Sequence, residues 1–285
     1  MLYVARCCLP LLIAVAPIAA AQTEPSIPWA FGAYFGTGYY ELGTGEETYV
    51  LSVRPSWRWR EANFDEQGKR SIGVEFRVPV AVGAYRLDDA DLAASLQLDN
   101  VSTLSVVPGV EIEVPMGERW SLKPLAYVGW GTHTDGDDSA WIYWAGIKSR
   151  LRFGDEDFDW ALVNALTYVG YSSDANEHGN ALPLLTAFEF GRPLGDKKIA
   201  DQQVRLHWHI GYTDYLNDIE LLRSRPDVLP VQMDAEWEIG MAFSTGEEPL
   251  RLWRLKWDRV GVVYRVSADG EFRGVGLVFR SLFDR

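Results

Sequence analysis

Ionisable residues recur in this chain at spacings of two, and that spacing decides what chemistry they can do. His207 and His209 stand two apart and follow Arg205; Asp234, Glu236 and Glu238 form an acidic set with the same spacing. Two imidazoles beside carboxylates are donors that zinc accepts. The same groups also satisfy one another as ion pairs between adjacent strands. The second reading takes in far more of the chain. Arg58 and Arg60, Glu75 and Arg77, Glu111 and Glu113, Lys123, Lys148, Arg150 and Arg152, and Arg259 and Arg265 all fall on one face of an alternating segment. We read the whole set as a charge lattice, with no metal and no cofactor. Nucleophilic chemistry has little support. His133 leads into Thr134 and Asp135, and His178 into Gly179 and Asn180, so neither begins a His-x-Ser pair.

The elements that must position these residues are strands. In Val231–Phe243, Val231, Met233, Ala235, Trp237, Ile239, Met241 and Phe243 fall on one face, and the acids, Gln232 and small residues on the other. A helix would mix the two sets, whereas a strand separates them. Thr48–Arg60, Ser71–Tyr85, Val101–Val114 and Gln203–Thr213 repeat the pattern. Weaker versions run at Trp29–Tyr39, Trp120–Gly131, Trp141–Phe153, Asp159–Tyr171, Leu182–Arg192, Arg259–Val266 and Arg273–Phe283. The segments are longer than ordinary soluble strands, and there are about twelve, the even number a transmembrane barrel requires. The expected fold is all-β, an antiparallel up-and-down transmembrane barrel with its charges turned inward. Prolines 55, 79 and 108 sit inside three of the clearest strands, where each removes one ladder hydrogen bond.

The N-terminus supports export. Arg6 precedes an apolar run from Leu9 to Ile18, and Ala19, Ala20 and Ala21 suit cleavage before Gln22. We expect a signal peptide over 1–21, a short periplasmic segment over 22–28 and the barrel over 29–285. Both cysteines, Cys7 and Cys8, lie in the signal, which removes disulfides and thiolate chemistry from the mature chain. Losing Arg6 moves the net charge from −13 to −14, which argues against a nucleic-acid partner. With 12 Trp and 13 Tyr, aromatic belts at two membrane interfaces are expected. With both ends in the periplasm, the loops 41–47, 87–100, 132–138, 172–181, 216–229 and 267–272 face outward, and 217–225 reads as a short helix.

The stretch Phe272–Phe283 resembles the last strand of outer-membrane barrels, which ends in an aromatic residue that the assembly machinery recognises. Val275, Leu277, Phe279 and Phe283 match that pattern; Asp284 and Arg285 depart from it, because the aromatic usually comes last. Twelve strands and this ending resemble the autotransporter barrels. With only 22–28 ahead of the first strand, the chain resembles the solitary, passenger-less members. The resemblance implies an integral protein of the Gram-negative outer membrane, monomeric, with lipid, lipopolysaccharide and the barrel assembly machinery as partners and a structural or narrow-pore role. The alternative is an outer-membrane hydrolase, or an omptin-like protease using Asp135, Asp137, Asp138 and His178 at the outer rim.

Overall fold

A computed structural model describes residues 34–43, 46–65, 68–85, 103–133, 139–154, 158–173, 178–199, 202–221, 231–245, 250–252 and 255–285. The expected signal peptide, the 22–28 segment and the acidic loops at 87–100 and 134–138 lie outside the described residues.

Twelve strands close into one antiparallel barrel. They are β1 (Gly38–Leu42), β2 (Glu46–Val53 and Ser56–Arg60), β3 (Gly73–Arg77 and Val80–Tyr85), β4 (Thr103–Val106 and Gly109–Pro115), β5 (Trp120–His133) and β6 (Ser139–Gly154). They continue with β7 (Asp159–Ser173), β8 (His178–Ala181 and Pro183–Ile199), β9 (Gln202–Leu221), β10 (Val231–Ser244), β11 (Val260–Ser267) and β12 (Phe272–Val278). Each strand pairs with its neighbours in sequence. β1 pairs with β12, from Gly38 opposite Gly276 to Leu42 opposite Phe272, which leaves no open edge.

Prolines explain why β2, β3 and β4 come in two pieces. Pro55, Pro79 and Pro108 form a row across the three strands. Their carbonyls still accept from the next strand: Val78 N–H donates to Pro55 at 3.0 Å, Val107 to Pro79 at 2.9 Å and Val128 to Pro108 at 3.0 Å. Proline lacks only the donor, so the ladder is interrupted in one direction. Gly129 on β5 completes the row. A Cβ there would lie 2.1 Å from the Val106 carbonyl oxygen, so only glycine lets the strands approach.

The barrel is polar within and apolar without. Trp57, Trp59 and Trp141 are 66%, 69% and 60% exposed, whereas Arg77 and Lys123 are 1% and 2% exposed. The interior has two layers. One is apolar and aromatic, with Tyr40, Tyr127, Trp144, Tyr171, Tyr215 and Phe272 buried together. The expectation of aromatic belts missed these inward rings. The other layer is charged.

Three local expectations are corrected. Of the expected first strand, 29–33 lie outside the described residues, and among the described ones the strand begins only at Gly38. Residues 34–36 turn into the lumen, where the Phe35 ring stacks on Phe272 at 5.4 Å and the Tyr40 hydroxyl donates to the Phe35 carbonyl at 3.1 Å. The last strand ends at Val278 rather than Phe283. Of the expected helix at 217–225, 222–225 lie outside the described residues, and over 217–221 β9 instead stays extended to Leu221. Its pairing with β10 jumps there from Asp214 opposite Ala235 to Ile219 opposite Met233, a bulge.

Candidate functional site

The charged layer is built from side chains that the period-two pleat turns inward on β3–β6 and on β8–β11. The β3–β6 wall has an awkward register. Glu75 lies directly opposite Glu111, and Lys123 directly opposite Lys148, so like charges face each other. Such pairs repel unless something comes between them. Arg77 does so for the acids, reaching Glu75 and Glu111 at 3.0 Å each. Lys123 lies 3.8 Å from both Glu111 and Glu113, Lys148 lies 3.4 Å from Glu111, and Arg150 lies 3.4 Å from Glu113. Tyr127 donates to Glu111 at 2.9 Å and ties this layer to the aromatic one.

The opposite wall pairs unlike charges in register. Arg265 on β11 faces Glu238 on β10 and reaches it at 2.9 Å. His209 lies 3.0 Å from the same carboxylate. Arg259 pairs with Glu189 on β8. Glu236 is buried beside them. Nearer the rim Arg205 pairs with Asp159 at 2.5 Å, and His207 Nε2 meets the Ser244 hydroxyl at 2.8 Å. The two imidazoles thus have separate partners. Among the described residues no group of three metal-type donors converges.

Several of the expected lattice residues sit elsewhere. Arg58 is part-exposed at the rim, between Glu61 at 3.0 Å and Glu75 at 3.4 Å. Arg60 is exposed and, with Glu75, Glu111, Glu113 and Lys123, lines a small hollow. Arg152 is exposed and donates to the Glu118 carbonyl at 3.1 Å rather than into the lumen. Asp234 is a correction, because it is exposed while Met233 and Ala235 are buried. Ala235 and Glu236 are both buried, so the alternation loses one beat beside the bulge, and a one-residue slip reverses every face beyond it.

The segment that sequence reasoning missed is 280–285. It leaves β12 and runs inside the barrel. Phe283, expected as the closing aromatic of a strand, is fully buried, with the Lys123 ammonium 4.2 Å and the Arg150 guanidinium 4.3 Å from its ring centroid. Asp284 pairs with Lys123, and Arg77 and Arg150 each lie 3.9 Å from it. Arg77 also donates to the Asp284 carbonyl, and Lys148 to a main-chain oxygen of Arg285, both at 2.6 Å. Arg285 crosses to Glu238 at 2.9 Å. Arg280 donates to Glu75 at 3.1 Å and to the Ser56 hydroxyl at 2.8 Å, and the Leu282 N–H donates to Glu189 at 3.2 Å. Burial alone would raise the Asp284 carboxyl, but Lys123, Arg150 and Arg77 outweigh it and hold it well below the usual carboxylate range. The cue was in the sequence: Leu282 and Phe283 are adjacent apolar residues that break the alternation, and two charges follow them.

Val275 and Leu277 do lie on the outward face of β12, and Phe279 packs against Trp257 at 5.2 Å. Of the rim residues weighed for hydrolysis, Asp135, Asp137 and Asp138 lie outside the described residues, and so does the side chain of His178.

No protein-family model matches the sequence, and no curated protein does. The fold is similar to the translocator domain of autotransporter NalP from Neisseria meningitidis, at 12% identity, covering 86% of this chain and 85% of that chain with a TM-score of 0.52. The β domain of the Bordetella autotransporter BrkA also matches, at 11% identity, covering 86% and 96% of the two chains with a TM-score of 0.48. The chain has the closed twelve-stranded architecture of an autotransporter translocator barrel.

Proposed function

We propose that this chain is an integral outer-membrane barrel whose interior is closed by charge pairing, with a structural or narrow-pore role and no enzymatic activity. One observation carries the reading: the barrel is inside out. Large apolar side chains such as Leu51, Trp57, Val128, Trp141, Ile239 and Val262 face outward and exposed, while Arg77, Glu111, Lys123 and Glu238 are buried. In water that outer surface would forfeit roughly 1.5–3 kcal/mol for each large side chain left exposed, whereas lipid covers it. A barrel is also one of the two backbone arrangements that satisfy their hydrogen bonds in a bilayer.

Lipid, lipopolysaccharide and the barrel assembly machinery are the partners of this reading, with the protein as a monomer. Val275, Leu277 and Phe279 supply the outward pattern near the end of the chain, and the inward placement of Phe283 shifts the assembly role towards those three. A wide general pore is disfavoured, because side chains from both walls and from 280–285 meet in the charged layer.

Membrane fractionation with heat-modifiable gel migration tests the location. The protein should enter the outer-membrane fraction and migrate faster unboiled; recovery as a soluble periplasmic protein would overturn the reading. In planar bilayers the wild-type protein should conduct little, and large stable channels would overturn the narrow-lumen part.

A further inference from the structure

We propose that Arg77, Lys123, Lys148 and Arg150 form a site for aromatic carboxylates that the chain fills with its own Phe283 and Asp284, and that displacing residues 280–285 opens the barrel as an anion-preferring channel. The inference rests on the membrane-barrel reading and deepens it.

Charge balance comes first. On β3–β6 four buried or half-buried cations, Arg77, Lys123, Lys148 and Arg150, face three carboxylates, Glu75, Glu111 and Glu113. The wall is one anion short, and its two lysines stand opposite each other in register. Asp284 sets a carboxylate among these cations, touching Lys123 and lying 3.9 Å from Arg77 and Arg150, while Arg280 of the same segment sits apart from them on Glu75 at 3.1 Å. The opposite wall does not depend on the segment in the same way. When Arg285 leaves, Glu238 keeps Arg265 at 2.9 Å and His209 at 3.0 Å. Withdrawal of 280–285 therefore uncovers a cationic wall, while Glu238 on the opposite wall stays paired with Arg265.

Shape narrows the ligand. The Phe283 ring lies against Lys123 and Arg150, and the adjacent carboxylate lies between the same cations. A flat ring carrying a carboxylate reproduces both contacts at once, pairing the anion and presenting a π face to the cations. Benzoate is the simplest such molecule.

The occupant is built to leave. Among the described residues, 280–285 makes no main-chain bond to a strand. Its one such bond, Asp284 N–H to the Ser281 carbonyl at 3.0 Å, is internal. Everything else that holds it is a side-chain contact, so it can withdraw without breaking the barrel ladder. It also closes the space it fills, because Ser281, Leu282 and Phe283 are all buried there.

Planar-bilayer recording on the full-length purified protein tests this. Asp284→Asn combined with Phe283→Ala should raise open probability about tenfold or more, the population shift expected from losing one charge-assisted contact. In a potassium chloride gradient the open state should reverse towards the chloride potential. Benzoate should open the wild-type protein at lower concentration than acetate does, and cyclohexylammonium should have no effect. The natural cysteines are only Cys7 and Cys8, so a lock is straightforward. Leu282→Cys with Ala187→Cys, drawn from one packed cluster, should abolish benzoate opening when oxidised and restore it when reduced. Cation preference in the open state, or benzoate opening that persists in the oxidised lock, would overturn the proposal. So would a correctly migrating double variant no more open than wild type. If the double variant fails to assemble, the benzoate series on wild type and lock decides. Absence of a heat-modifiable membrane form would instead overturn the barrel reading itself.

Discussion

The two walls of the charged layer solve the same problem in opposite ways. On β10 and β11, Glu238 faces Arg265 in register and gathers His209 and Arg285 as well, so the wall is centred on one carboxylate. On β3–β6 the register sets Glu75 against Glu111 and Lys123 against Lys148, and their partners come from a mesh of diagonal contacts plus residues from far along the chain. The difference teaches that strand register alone does not settle the polarity of a lumen. One wall pairs its central charges in register, and the other meets its like-charge register with diagonal contacts and an acid from the inward segment.

Removing the hub should do the most damage. Glu238→Gln strands the buried Arg265 guanidinium and should cost roughly 3–5 kcal/mol, read as a lower urea midpoint for barrel unfolding in detergent. Glu111→Gln removes an acid equally buried but embedded in the mesh, where Glu75, Glu113 and Asp284 can share its cations. It should cost about 1–3 kcal/mol by the same measurement. If the two variants proved equally destabilising, the hub-and-mesh distinction would fall. Lys148→Met should cost under about 1 kcal/mol, because it removes the ammonium that faces Lys123.

The smallest effect concerns pH. The Asp284 carboxyl is depressed in the folded protein, so its contribution is present above the unfolded value of about 3.9 and is lost only as pH falls through its lower folded value. Wild-type bilayer conductance should therefore stay flat from pH 7 to 5, and any opening by this group should begin below about pH 4. A rise already at pH 6 would mean that another group controls the segment.

Much of this was legible in the alternation. Period two identifies a strand and its faces, and an even set of long amphipathic strands points to a closed barrel. What it cannot see is where the chain leaves the sheet. Phe283 has the parity of Val275, Leu277 and Phe279, so its parity alone extends the strand through it; only the adjacent Leu282 marks the break, and the charges at Asp284 and Arg285 draw the chain inward. Asp234 was misplaced for a related reason, because a bulge shifts parity without altering the composition of the segment. The prolines were visible one by one, but their alignment across β2–β4 depends on register. The site followed the same rule. The cations on β3–β6 were identifiable from sequence, while their partners Phe283, Asp284 and Arg285 became apparent only in three dimensions.

Sequence separation gives the inward segment one more property. Asp284 meets Arg77 207 residues away and Lys123 161 residues away, and Lys148 lies 137 residues from Arg285. Contacts of such reach are entropically late, because the intervening chain must already be arranged before they are rewarded. Adjacent strands can pair through short hairpins, but this segment finds its seat only once β3, β5 and β6 stand in place. The barrel should thus pass through a hydrated, open form on its way to the closed one. Refolding followed by tryptophan fluorescence should show that late phase in the wild type and lose it in Asp284→Asn.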